Sequence, residues 1–263
     1  MFSLVLAEFL FRLTFGVAAA MAVTPSRWVT SGFFRVHLWV LLGFQTLAAL
    51  AAYSASNSDA ATADLASGRF RLAVAAAIGS YIGAVIWMYE RRLAGKAAIV
   101  IVSALALAGT LLPALPVTTL NGAFHAADRV TSGLLLGLVT TAMLLGHWYL
   151  NTPTMRLEPL KRLIVLLGLI VIVRMALGAG GAWLEATEHL PETTTPFTAW
   201  ALFVSLRWLA GLVGVLALAG LTWQTLKIPN TQSATGILYA AVILAFIGEL
   251  TSQLMSAQAR YPV

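Results

Sequence analysis

Cysteine is absent from the sequence and charged residues are scarce: they make up 10% of the 263 residues, while hydrophobic residues make up 60%. A soluble domain carries about 25% charged residues, so this chain cannot cover a water-exposed surface. The absence of cysteine excludes a disulfide scaffold and thiol catalysis. The His-Glu-x-x-His motif of zinc proteases, the Walker A motif of nucleotide-binding proteins and the Gly-x-Ser-x-Gly motif of serine hydrolases are also absent.

Long apolar stretches account for most of the chain. A helix that crosses a bilayer needs about 20 mostly apolar residues, and the stretches show no alternation of the kind that a membrane strand requires. The sequence therefore predicts an all-α, polytopic membrane protein with eight transmembrane helices, in which residues 1-263 form a single integral membrane domain. The predicted helices cover residues 4-23, 32-53, 71-89, 97-115, 130-150, 163-184, 197-226 and 235-255.

Basic residues are distributed unequally between alternate loops and the helix ends beside them. The only basic residues of the second, fourth and sixth loops are Arg69, Arg71 and Arg129. The same loops carry six acidic residues: Asp59, Asp64, Asp128, Glu185, Glu188 and Glu192. The odd-numbered loops carry nine basic residues: Arg27, Arg35, Arg91, Arg92, Lys96, Arg156, Lys161, Arg162 and Lys227. By the positive-inside rule the odd loops are cytoplasmic and both termini lie outside, most simply in a bacterial inner membrane. The net charge of +6 then reflects orientation and contact with anionic lipid, and a nucleic-acid partner has no support.

A short motif recurs at the start of the two halves of the chain. Arg12-Leu-Thr-Phe-Gly16 in the first helix resembles Arg129-Val-Thr-Ser-Gly133 beside the fifth helix. The recurrence predicts two four-helix halves, residues 1-116 and 117-263, as in membrane proteins built from repeats.

Five ionisable residues fall inside the predicted helices: Glu8, Arg12, Arg174, Arg207 and Glu249. All five are predicted to lie between the outer surface and the middle of the bilayer. Because a charge that faces lipid is costly, we expect them to converge between the first, sixth, seventh and eighth helices. Two interpretations stay open, a structural set of salt bridges or an outward-facing polar site. In an outward-facing polar site, the excess of arginine over carboxylate would suit an anionic head group, a haem propionate or a quinone carbonyl.

Two histidines, His37 and His147, are predicted near the cytoplasmic ends of the second and fifth helices. Imidazole is a common axial ligand of haem, so the pair could hold a b-type haem. The alternative is that both are ordinary interfacial histidines. Glu185, His189 and Glu192 have helical spacing, but Pro191 would interrupt a helix there, so no metal site is predicted.

The function predicted from these features is a multi-pass inner-membrane subunit that handles quinone or b-type haem in the outer half of the bilayer. Such a subunit would belong to an electron-transfer complex and contact other membrane subunits as well as lipid. A transporter or lipid-handling protein and a structural subunit without chemistry are the alternatives. The sequence assigns no catalytic residue and leaves open whether the protein is an enzyme.

Reporter fusions test the predicted orientation. Alkaline phosphatase fused after Val263 is expected to be active, because the positive-inside rule places that end outside the cytoplasm. The same reporter inserted in the 151-162 loop is expected to be inactive. The reverse pattern of activity would invert the orientation of every helix.

Overall fold

Eight helices form the fold. A computed structural model describes residues 2–57, 63–115, 117–152, 154–188, 202–228 and 230–256, and these residues contain no strand. Every helix is long and apolar enough to cross a membrane, so the prediction of an all-α polytopic protein is confirmed. The helices are α1 (Phe2–Val23), α2 (Ser31–Ser56), α3 (Ala63–Met88), α4 (Arg92–Leu111), α5 (Leu120–Asn151), α6 (Glu158–Glu188), α7 (Leu202–Thr225) and α8 (Thr231–Ser256).

The third and fifth helices begin earlier than the sequence predicts. The α3 helix begins at Ala63 rather than at 71, and α5 begins at Leu120 rather than at 130. The Thr119 side chain caps α5 by accepting a hydrogen bond from the backbone N–H of Gly122 at 3.1 Å. Placing Arg69, Asp128 and Arg129 in loops is therefore wrong, because all three lie in helices. A charge ends a lipid-facing apolar stretch, but it need not end a helix whose charged side chain is paired inside a bundle.

The helices pack as two rings of four. In residues 2–114, α1 contacts α2, α2 contacts α3, α3 contacts α4, and α4 returns to α1. In residues 120–256, α5, α6, α7 and α8 make the same cycle of contacts. The two rings join mainly where α1 packs along α5.

Glycine allows α1 and α5 to approach closely. A Cβ atom on Gly137 would lie 1.8 Å from the carbonyl carbon of Gly16, and one on Gly16 would lie 1.7 Å from the carbonyl oxygen of Gly133. No side chain fits at such distances. Small residues are the usual means by which membrane helices bring their backbones together, since apolar surface alone does not favour helix contact over lipid contact.

Large apolar side chains cover the outside of the bundle. Ile78 on α3, Ile172 on α6 and Ile243 on α8 are all exposed. A soluble protein rarely exposes extended apolar surface, whereas such side chains are in their preferred solvent when they contact lipid. The protein is therefore in contact with the lipid bilayer.

The substitution Gly137→Ala is expected to lower the free energy of unfolding by about 1–3 kcal/mol, because overpacking must push α1 away from α5. Gly43→Ala on α2 is the matched control, since a Cβ there meets no atom within 4 Å. Unfolding of the purified protein in a mixed-detergent titration measures both. Equal stability of the two variants would contradict the close contact between α1 and α5.

Candidate functional site

Eight ionisable side chains meet inside the bundle, near the end at which α1 begins. They come from six of the eight helices, and all but Glu8 and Arg129 are nearly inaccessible to solvent. We call this group the charged cluster: Glu8, Arg12, Arg69, Asp128, Arg129, Arg174, Arg207 and Glu249.

Arg174 on α6 is the most completely paired arginine. Its Nε lies 2.8 Å from Oε1 of Glu249, and its Nη2 donates to Oε2 of the same carboxylate at 2.8 Å. Its Nη1 donates to Asp128 Oδ1 at 3.1 Å and to Thr131 Oγ1 at 3.0 Å. Two-pronged contact between guanidinium and carboxylate is among the strongest polar interactions in proteins. Arg174 therefore ties α6 to both α5 and α8.

Arg12 on α1 links its own helix to α5. It pairs with Glu8 one turn away, and its Nη1 donates to Ser132 Oγ at 3.2 Å and lies 3.8 Å from Asp128 Oδ2. The Ser132 hydroxyl in turn donates to Glu249 on α8. One chain of polar contacts therefore runs from α1 through α5 to α8.

Glu8 is shared by three arginines. Besides Arg12, it accepts a hydrogen bond from Nη2 of Arg69 at 3.1 Å, and its Oε1 lies 3.4 Å from Nη1 of Arg129. This carboxylate therefore holds α1, α3 and α5 together, and its single negative charge cannot neutralise all three neighbours.

Arg207 on α7 is buried, and no close carboxylate of the described residues accepts hydrogen bonds from its guanidinium. It is 2% exposed, and the nearest carboxylate oxygen recorded for it is Asp128 Oδ1 at 4.0 Å. Among the described residues, its Nε and Nη1 have no hydrogen-bond acceptor. Arg207 lies in a π-helical segment, Leu206–Gly214, and π-helical geometry occurs often at functional sites.

Positive charge exceeds negative charge in the cluster. Five arginines share three carboxylates, and no other carboxylate of the described residues lies within 4.0 Å of these arginines. Among the described residues, two positive charges are therefore left over in a largely buried site. An uncompensated buried charge is strongly destabilising, so an anion bound from outside the chain would stabilise this arrangement.

A cavity connects one edge of the cluster with the surface. Its volume is about 410 Å³, and it lies between the turn after α4 and the first turns of α5. Arg129 and His125 line it, together with Pro113 and Asn121. Arg129 is also one of the three arginines around Glu8. The cavity therefore gives a ligand direct access to a member of the cluster.

The structure brings together the five charged residues that the sequence singled out. Glu8, Arg12, Arg174, Arg207 and Glu249 come from α1, α6, α7 and α8, as expected. The sequence does not predict the contributions of α3 and α5, because Arg69, Asp128 and Arg129 fall outside the predicted helices. The repeated motif could have indicated Arg129, because Arg129 precedes Gly133 by the same four residues that separate Arg12 from Gly16.

The two histidines lie away from the cluster. His37 is buried on α2, where its Nδ1 lies 2.6 Å from the carbonyl oxygen of Phe33. His147 on α5 has its Nδ1 3.5 Å from the hydroxyl of Tyr239. The His37 ring also contacts Trp148, which lies about 24 Å from Ser132 along α5 at a rise of about 1.5 Å per residue. The predicted cofactor residues therefore form two separate sites, and haem ligation by the histidines stays a prediction.

The remaining sequence motif, Glu185, His189 and Glu192, cannot be placed. His189 and Glu192 lie outside the described residues, as does the side chain of Glu185.

The chain matches no protein-family model, no curated protein and no solved structure. The function is therefore inferred from the chemistry of the charged cluster.

The substitution Asp128→Asn is expected to destabilise the protein by about 3–5 kcal/mol, because Asp128 lies beside Arg12, Arg174 and Arg207 and its loss leaves buried charge unpaired. Asp64→Asn removes the same charge from an exposed position on α3 and is the matched control. Thermal unfolding in detergent compares the two. A stability of Asp128→Asn equal to that of the control would show that the cluster does not hold the helices together.

Proposed function

We propose that this multi-pass membrane protein binds the anionic group of a membrane-soluble molecule at the charged cluster. The observation that carries the proposal is the excess of two positive charges among the described side chains of the cluster. A set of salt bridges that served only to join helices would be more stable with matched charges. The excess is understandable if the missing negative charge belongs to a ligand.

Arg207 and Arg129 are the side chains that fit this role best. Arg207 has two donor atoms without an acceptor among the described residues, and Arg129 borders the open cavity. Guanidinium groups bind carboxylates and phosphates by charge and by directed hydrogen bonds. Arg174, in contrast, already uses its donors on Glu249, Asp128 and Thr131 and has little left for a ligand.

The position of the cluster indicates a ligand with an apolar body. The cluster lies between helices whose outer faces contact lipid, so a molecule that reaches it from the bilayer must be soluble there. A lipid-like carboxylate or phosphate satisfies both requirements. Binding such a molecule is common to a lipid-handling protein, a transporter and a cofactor-binding subunit.

A subunit that handles haem or quinone in an inner-membrane electron-transfer complex is one form of this proposal. The propionates of haem are carboxylates and would supply the missing negative charge. A quinone carbonyl is neutral, so it would satisfy only the donor atoms of Arg207 that have no acceptor among the described residues. If both termini lie outside, as the distribution of basic residues predicts, the cluster lies in the outer half of the bilayer, where the sequence predicts the cofactor.

A b-type haem held by His37 and His147 is the second candidate. The observation that favours it is the contact between Nδ1 of His37 and the carbonyl oxygen of Phe33 at 2.6 Å. Histidines that ligate metals usually donate one ring N–H to such a carbonyl, which leaves the other nitrogen, here Nε2, for the metal.

We also propose that residues 1-116 and 117-263 are repeats of one four-helix unit. The matching cycles of contacts and the placement of Arg12 on α1 and Arg129 on α5 support this. Membrane proteins with internal repeats often bind their ligands where the repeats meet. The contact of α1 with α5 joins the two rings, directly beside the charged cluster.

The substitution Arg207→Met tests the proposed function. It is expected to reduce the affinity for dodecyl phosphate and for oleate at least about tenfold, because one charged hydrogen bond contributes about 1.5–3 kcal/mol. The ligand-free variant is expected to be as stable as the unchanged protein or more so, since an unpaired buried charge is removed. Calorimetry in a neutral maltoside detergent measures the binding, and thermal unfolding measures the stability.

Arg71→Met is the matched control for binding, because Arg71 is an exposed arginine on α3 outside the cluster. Arg174→Met is the control for stability and is expected to unfold at a lower temperature. A destabilised Arg207→Met variant with unchanged affinity would show that the cluster is only structural.

An absorption spectrum of the purified protein tests the b-type haem held by His37 and His147. A Soret band that is lost in His37→Ala supports this haem, and the absence of the band excludes it.

A further inference from the structure

A second cavity lies at the opposite end of the bundle, where α1 ends. Its volume is about 380 Å³, and the chain from Ala22 to Arg27 forms one wall. Lys96 from α4 and Arg162 from α6 complete the lining. Among the described residues, no carboxylate lines this cavity. It therefore gathers three cationic side chains from three parts of the fold without an acid beside them.

Lys96 binds the backbone carbonyl groups at the end of α1 beside this cavity. Its Nζ donates hydrogen bonds to the carbonyl oxygens of Met21 and Ala22, both at 2.8 Å, and to that of Thr24. The last carbonyls of a helix have no partner within the helix and carry a partial negative charge. Lys96 neutralises this end of α1, which would otherwise repel an anion.

Arg27 and Arg162 have no ion-pair partner within the described part of the chain. The guanidinium of Arg27 lies 4.5 Å from the centre of the Trp28 ring, and that of Arg156 lies 5.6 Å from the same ring. Stacking on an aromatic ring restricts the side chain but leaves the guanidinium edge available. Arg27 is therefore held beside the cavity with its donors accessible.

We propose that this basic cavity binds a phosphate group. Arg27 and Arg162 supply the directed donors, Lys96 adds charge, and the absence of an acid from the lining favours an anion over a cation. The cavity lies where the apolar helices end, which is the depth of lipid head groups. Basic pockets between membrane helices bind the head groups of anionic lipids, so such a lipid is one source of the phosphate and the solution is the other.

This inference does not depend on the proposed function. The charged cluster lies near the start of α1 and the basic cavity at its end, and the two share no residue. Arg207→Met is therefore expected to leave phosphate binding at the basic cavity unchanged.

Native mass spectrometry from nanodiscs of phosphatidylcholine and phosphatidylglycerol tests the proposal. The double variant Arg27→Gln/Arg162→Gln is expected to retain phosphatidylglycerol at least about tenfold less tightly than the unchanged protein. Arg92→Gln/Lys227→Gln removes the same charge from exposed positions at this end, outside the cavity, and is expected to retain the lipid normally. Arg27→Lys/Arg162→Lys keeps the charge and is expected to bind more tightly than the glutamine variant, which separates a lost site from a lost fold.

Excess inorganic phosphate distinguishes the two sources. If it displaces phosphatidylglycerol from the unchanged protein, the cavity binds free phosphate as well. If the lipid stays bound and only the cavity variant releases it, the ligand is the lipid phosphate. Equal retention by the cavity variant and the control variant would overturn the proposal.

Discussion

Three carboxylates hold five arginines inside an apolar helix bundle, and these contacts join six of the eight helices. Lipid offers a charged side chain no partner, so charged groups in the bundle are stable only when they are paired. Asp128 on α5 pairs with arginines on α1 and α6 and lies 4.0 Å from Arg207 on α7. The α2 and α4 helices contribute nothing to the cluster and only complete the rings around α1 and α3.

The same physical rule explains how far the sequence could predict the site. The cost of an unpaired charge in lipid was enough to predict that Glu8, Arg12, Arg174, Arg207 and Glu249 converge, without knowledge of any contact. It could not identify Asp128, because hydropathy alone does not separate a charge at a helix end from one paired inside a bundle. Asp128 is followed by Arg129, and two adjacent charges interrupt an apolar stretch in sequence as a loop would. The helix nevertheless continues through them, and Asp128 is paired there with Arg174.

The glycines of α1 and α5 and the charged cluster depend on one another. Where α1 packs along α5, Arg12 Nη1 on α1 donates to Ser132 Oγ on α5 at 3.2 Å. About one turn further along α1, Gly16 contacts Gly133 and Gly137. Larger residues at these glycines would separate the backbones of α1 and α5, and the hydrogen bond between Arg12 and Ser132 would lengthen. Because helix association in lipid has little hydrophobic driving force, close packing and buried polar contacts must supply the stability together. This explains why the recurring motif contains an arginine and a glycine one turn apart.

Two locally unfavourable features coincide in α7. A π-helical segment has poorer geometry than an α-helix, and two nitrogen atoms of the buried Arg207 guanidinium lose hydration that no acceptor of the described residues replaces. An apolar residue at 207 would remove the second feature without breaking a close ion pair, because the nearest carboxylate oxygen among the described residues lies 4.0 Å away. Residues that lower stability in this way are typical of sites that bind a ligand, where the bound molecule supplies the missing contacts. Because the carboxylates of the cluster already bind Arg12 and Arg174, the free donors of Arg207 would be satisfied by an anion that the described residues do not provide.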